Sequence, residues 1–157
     1  MYATAREFFE AAREAARDAA RISRQLDGME RRALALGGGG FEPRVRSTPD
    51  PDRIGRDVSA KVDNEAILRE RRESDRALVD AARAVLYGPD RRSGLYALVG
   101  WPADAIFHHY LALRTWDETA EMMGYSVRHV QTCVASALDY ADSNGQMWTA
   151  LGKGMAE

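Results

Sequence analysis

Apolar residues in the first third of the chain fall at Phe8, Ala12, Ala15, Ala19, Ile22, Leu26, Met29, Ala33 and Leu36, in alternating steps of four and three. That spacing keeps one face of a helix turned toward a neighbouring helix and predicts a heptad seam. Alanines at the amino end allow close approach, and larger side chains take over toward Leu26. The glycines at 37–40 end this helix, because four consecutive glycines lose too much backbone entropy inside one. A second seam follows at Ile67, Arg71, Ser74, Leu78, Ala81 and Val85, with a polar middle. The helix carrying it is expected to start between Arg53 and Arg56, capped by Asp52 or Asp57, and to run to Tyr87. Two seamed helices joined by a loop predict an antiparallel hairpin. The alternative is that the polar middle sets register in an oligomer, which makes a homodimer through these helices a second expectation.

Beyond Gly88-Pro89-Asp90 the pattern shortens. Residues 93–99 read as a brief helical or irregular piece. Gly100-Trp101-Pro102 breaks the chain again, with Pro102 suited to open a helix that carries Ile106, Phe107, Tyr110 and Leu111. Thr115 then caps a two-turn helix, and Glu118 three residues on completes a capping box. Gly124 follows, a residue that tolerates the positive φ of a tight helix end. Ser126 caps the next helix, whose apolar face is Val130, Cys133, Val134, Ala137 and Leu138. No pair of alternating strands flanks a turn dipeptide anywhere.

Two short helices that cross steeply need a small side chain where they touch and a branched apolar one in the angle between them. Ala120, four residues before Gly124, supplies the first, and Val130, six after it, the second. Trp116, Thr119, Met123, Tyr125 and Cys133 are expected to complete the small core. The fold class is therefore all-α: a long, coiled-coil-like helical hairpin followed by a C-terminal helix-turn-helix. Residues 1–88 are assigned to the hairpin, with a Gly/Pro-rich loop at about 37–55, residues 89–140 to the helix-turn-helix, and residues 141–157 to a tail.

Composition narrows the function classes. No apolar run approaches the ~18 residues of a membrane span, and no secretory leader pattern follows Met1, so no membrane partner is expected and the chain reads as cytoplasmic. The single Cys133 excludes an internal disulfide. The glycine run at 37–40 lacks the lysine and hydroxyl residue of a phosphate loop, and no nucleophile stands with a base and an orienting group. An enzyme is not expected, nor a cofactor. His129 and Cys133 lie one turn apart with His108 and His109 nearby, but the set does not reach zinc-ligand spacing on one face; no metal is expected.

The stretch Tyr110-Leu111-Ala112-Leu113-Arg114-Thr115-Trp116 and the following Asp117-Glu118-Thr119-Ala120-Glu121-Met122-Met123-Gly124-Tyr125-Ser126-Val127-Arg128-His129-Val130 resembles phage and prophage proteins of the ArpU and sigma-70-like group. The wider layout resembles them more weakly, including Ile54-Gly55 in the loop. The resemblance implies a C-terminal module similar to sigma-70 region four and a role in phage gene regulation. The chain departs from the group at Thr119, where isoleucine is usual, and at residues 131–136, where the group is more basic.

In a helix-turn-helix the second helix enters the major groove of double-stranded DNA. The residues expected to face the DNA are Thr115, Ser126, Val127, Arg128, His129, Gln131, Thr132 and Ser136. Arg128 has the donors to read guanine and Gln131 the amide to read adenine, while Val127 suits a thymine methyl. His129 is expected either to reach a phosphate or to pack on Trp116. Charge complicates the reading: between residues 100 and 140 only Arg114 and Arg128 oppose Asp104, Asp117, Glu118, Glu121 and Asp139. Phosphate neutralisation supplies much of DNA affinity. Dimerisation, arginines elsewhere (Arg44, Arg46, Arg53) or RNA polymerase as a partner would each supply what the module lacks, with the acidic residues Asp117, Glu118 and Glu121 as a surface for a basic partner. Two other readings stay open: a small-terminase-type DNA-packaging protein, and a coiled-coil adaptor that does not bind DNA.

Overall fold

The computed structural model describes residues 2–37, 51–88 and 93–144, without the side chains of residues 36, 37 and 51–61. The described residues are all helical or connecting, with no strand. The helices are α1 (Ala5–Gly37), α2 (Pro51–Tyr87), α3 (Leu95–Val99), α4 (Trp101–Ile106), α5 (Trp116–Met123) and α6 (Val127–Ser143). A π-helical turn, Phe107–Leu111, continues α4. Helix α2 starts at Pro51, slightly before the expected range. The loop arginines Arg44 and Arg46 lie outside the described residues, as does the side chain of Arg53.

Packing groups residues 1–17 with 75–157 as one compact unit and residues 18–74 as another. In the first, the opening turns of α1 contribute Ala5, Phe8, Phe9 and Ala12 to a core shared with Ala82 and Leu86 of α2, Leu95 of α3, Ile106 of α4, Tyr110 of the π turn and Val130, Val134 and Leu138 of α6. Each large side chain removed from water here contributes about 2–3 kcal/mol. The Phe9 ring meets Phe8 at 5.3 Å and Tyr110 at 6.0 Å, tying α1 to the π turn. The end of α2 is held by the Tyr87 hydroxyl, which donates to Asp104 Oδ1 at 2.7 Å. Burial and the Asp104 carboxylate both push the Tyr87 pKa upward. Arg83 lies over the Phe107 ring at 5.9 Å.

In the second unit the α1 seam continues through Ala19, Ile22 and Leu26, all buried. Met29 is half-buried and Ala33 exposed, so the seam fades before the helix ends. Asp18 of α1 and Arg71 of α2 form an ion pair at 2.8 Å.

The expected face of α2 is covered only in its second half, where Val85 is buried and Leu78 and Ala81 are half-buried. Ile67 is 62 % exposed, and Arg71 and Ser74 are also exposed. In the first half the covered positions lie one residue later, at Leu68, Arg72 and Asp75, and Val79, Ala82 and Leu86 continue that line beside the expected one. One residue turns a helix by about 100°, so two seams of identical spacing compete on the same rod. The line that carries the fully buried Ala82 and Leu86 stays covered along the helix, while the line that carries Val85 is exposed at Ser74, Arg71 and Ile67.

Helix α6 also runs further than expected. Ala141 is fully buried, and Asp142 Oδ1 accepts a hydrogen bond from the Ala5 amide at 2.6 Å. Residues 141–143 therefore belong to α6, and the rest of the assigned tail, 145–157, lies outside the described residues. No helix among the described residues is long and apolar enough to cross a membrane.

Candidate functional site

The corner between α5 and α6 is built from local signals. The Thr115 hydroxyl accepts from the Glu118 amide at 3.2 Å, and Glu118 Oε2 accepts from the Thr115 amide at 2.8 Å. These bonds hold the Glu118 carboxyl below its ordinary pKa, and such a cap contributes about 1 kcal/mol. Glu118 is thus engaged in the cap, which leaves Asp117 and Glu121 as the free acids of α5. Helix α5 ends at Gly124, whose φ of 72° and ψ of 26° are left-handed. The Tyr125 amide donates to Ala120 O at 3.1 Å, turning the chain sharply. Ser126 then caps α6, its hydroxyl accepting from the His129 amide at 3.3 Å.

On either side of this turn Ala120 is 3 % and Val130 0 % exposed, and both belong to the same core. Thr119 is fully buried and donates its hydroxyl to Thr115 O at 2.8 Å. Its hydrogen bond keeps the polar group satisfied inside. Trp116 and Met123 are partly buried against the core.

Of the residues expected to face DNA, Thr115, Ser126, Arg128, His129, Gln131, Thr132 and Ser136 are exposed. Arg128, Gln131 or Thr132, and Ser136 succeed one another at helical spacing along one flank of α6. The Thr132 hydroxyl is turned back to its own helix, donating to Arg128 O at 2.9 Å.

Three placements differ from expectation, and of the two alternatives for His129, packing on Trp116 is not found. Val127 is half-buried against the core rather than outward, because the first turn of α6 leans on it. Tyr125 is 48 % exposed and not part of the core. Thr119 and Ala120 already fill the corner, and the reversal at Gly124 swings the next side chain out. There Tyr125 stacks on Trp101 at 4.7 Å. His129 does not reach Trp116; it lies against Trp101 at 5.9 Å and Tyr125 at 5.1 Å. Cys133 is half-buried at the edge of the apolar face, its Sγ 3.6 Å from His129 Nε2. No group of three or more metal-binding side chains occurs among the described residues.

Trp116 has another partner, the ring of His109, stacked at 3.6 Å. His109 sits in the π turn, where the Ala112 amide bonds Phe107 O at 2.9 Å across five residues. The wider turn brings His109, Tyr110 and Leu111 all inward. His109 is 4 % exposed, and Arg13 of α1 donates to its Nε2 at 2.6 Å. An accepting Nε2 means a neutral ring with its hydrogen on Nδ1. Burial first, and the Arg13 charge second, lower its pKa to about 4; the Arg114 backbone acts in the opposite direction. His108 beside it is lowered too, by burial and then by Arg114.

Sequence reasoning missed Arg13, Trp101, His109 and Arg114 as neighbours of the corner. Nothing in the local spacing marks Arg13, which reaches the site from the other end of the chain. No family model, no curated protein and no solved structure matches this chain.

Proposed function

We propose that α5, Gly124 and α6 form a helix-turn-helix and that the chain is a phage- or prophage-type, sequence-specific DNA-binding transcription regulator resembling sigma-70 region four. One observation carries the reading. A capped helix, a left-handed glycine and a second capped helix share a core through Ala120 and Val130, while Arg128, Gln131 and Ser136 remain exposed on α6. A recognition helix needs that division, an inner flank that packs and an outer one that can enter the major groove. Arg128 would read guanine and Gln131 adenine. The Asp18–Arg71 pair at 2.8 Å supports an intramolecular hairpin of α1 and α2 over a homodimer through them. The exposed Asp117 and Glu121 offer RNA polymerase a contact surface, since they lie on α5, away from the flank assigned to bases.

The test is selection of duplexes from a randomised DNA pool by the full chain, followed by anisotropy on the enriched sequence. A defined motif containing guanine and adenine is expected, with Arg128→Ala and Gln131→Ala each losing about 1–3 kcal/mol at one base pair. Failure to enrich any motif, with no duplex binding even at low salt, would overturn the proposal.

A further inference from the structure

The helix-turn-helix reading leaves an electrostatic deficit. The corner itself is acidic, yet duplex DNA is bound chiefly through its phosphates. Cations that the local sequence lacks are brought in from α1.

Arg13 and Arg17 are one turn apart on α1, and both belong to the same compact unit as the corner. Arg13 hydrogen-bonds His109 at 2.6 Å, and His109 stacks on Trp116 at 3.6 Å. Trp116 is the first residue of α5, next to the cap Thr115. Arg114 immediately precedes that cap and donates its backbone amide to His108 O at 3.0 Å. Arg13 is thus linked to the amino end of α5 through His109 and Trp116, Arg17 lies a turn along α1 from Arg13, and Arg114 directly precedes the cap; in a helix-turn-helix that end lies against the DNA backbone.

None of the three forms an ion pair among the described residues; the pairs there are Arg21 with Asp18, Arg69 with Glu65, Arg71 with Asp18 and Arg83 with Asp80. The Nε atoms of Arg13 and Arg114 are buried without a partner, so both side chains are held in place by packing. Arg13 bonds a neutral imidazole rather than a carboxylate. Arg17 adds a like charge that pushes the Arg13 pKa down further than burial alone. Glu10, a turn back on α1, is exposed and forms no ion pair among the described residues. Glu118 feels the Arg114 charge and Glu10 acts on the same Tyr110 as Arg13, but among the described residues no carboxylate closes to ion-pair distance on the three arginines, which leaves them open to an anionic ligand that arrives from outside.

We infer that Arg13, Arg17 and Arg114 form a phosphate-contact surface for the DNA backbone, flanking the amino end of α5, and that it supplies the affinity the acidic corner lacks. The inference rests on the DNA-binding reading and deepens it. Division of labour follows: the α1 arginines bind any duplex, and the α6 flank discriminates among sequences.

The test uses the full chain and a fluorescein-labelled, mixed-sequence DNA duplex, with binding measured across a salt series. Loss of one phosphate contact lowers the slope of log affinity against log salt by about 0.9. Arg17→Gln and Arg114→Gln are each expected to flatten the slope by about that amount and to weaken binding roughly three- to ten-fold on every sequence alike. Arg13→Lys keeps the charge and is expected to hold the slope. Arg17 is exposed, so its variant is expected to melt like the unaltered chain, which separates charge loss from unfolding. Arg128→Ala provides the contrast, with altered discrimination among sequences. If Arg17→Gln and Arg114→Gln leave the slope unchanged while the unaltered chain binds duplex, the phosphate surface is overturned and the DNA reading stands. If they spare duplex binding but abolish retention on polyglutamate, the surface belongs to an acidic protein, and the inference also falls. If the unaltered chain binds no duplex at low salt, both are overturned.

Discussion

Two corners turn the chain, one on either side of α5, and they are built on opposite principles. The turn from α5 to α6 uses a side-chain cap, a left-handed glycine and a second cap. The turn from α4 to α5 uses a π-helical end, a left-handed Leu113 with φ of 60°, and a buried histidine bonded to an arginine from α1. The first corner depends on residues inside it. The second depends on a side chain nearly a hundred positions away. A turn made of capping residues carries its own instructions, whereas a strained one persists only because surrounding packing over-determines it.

The largest effect expected is at the first corner. Val130→Asp buries an unpaired charge in the shared core and is expected to cost more than about 3 kcal/mol. Denaturant titration would show it, and an unchanged midpoint would mean that α5 and α6 do not meet there.

Next comes the pH response of the second corner. His109 has a pKa of about 4 in the fold against 6.5 ordinarily. Between those values the unfolded chain binds the extra proton, so the stability is complete above pH 6.5 and falls as pH drops toward 4. The shift corresponds to about 3 kcal/mol. Melting at pH 7 and pH 4.5 should differ by less in His109→Gln than in the unaltered chain. An equal difference would deny His109 its part.

Smaller effects separate the two left-handed residues. A Cβ added at Gly124 meets nothing within 4 Å. Gly124→Ala should therefore cost only the left-handed conformation, about 1 kcal/mol. Leu113→Gly relieves the same strain but frees the unfolded backbone and loses a half-buried side chain, leaving a net change within about 0.5 kcal/mol of zero. If Leu113→Gly destabilised more than Gly124→Ala, the side chain of Leu113 would matter more than its backbone.

Much of the first corner was legible in the chain. Thr115 with Glu118, Gly124, and Ser126 announce helix ends through bonds between near neighbours, and Ala120 and Val130 are small and branched apolar residues at helical spacing from them. The outward placement of Arg128 and Gln131 was legible for the same reason, since helical spacing from Val130 determines it. The second corner was not. A π turn has no distinctive residue pattern, and Phe107, Tyr110 and Leu111 fit an ordinary amphipathic helix equally well. Tyr125 misled because an aromatic residue at a turn reads as core until Trp101 is seen to cover it from outside.

By itself, then, the order of residues determined the helical elements, their caps and the inner flanks of α5 and α6, because hydrogen bonds at helix ends and the 3.6-residue period act over a few positions. Tertiary structure alone decided which part of the α2 seam is covered, the aromatic stack of Trp101, Tyr125 and His129, and the arrival of Arg13 beside His109. Those depend on which rigid helices come to share one core, and a local pattern carries no information about its distant neighbour.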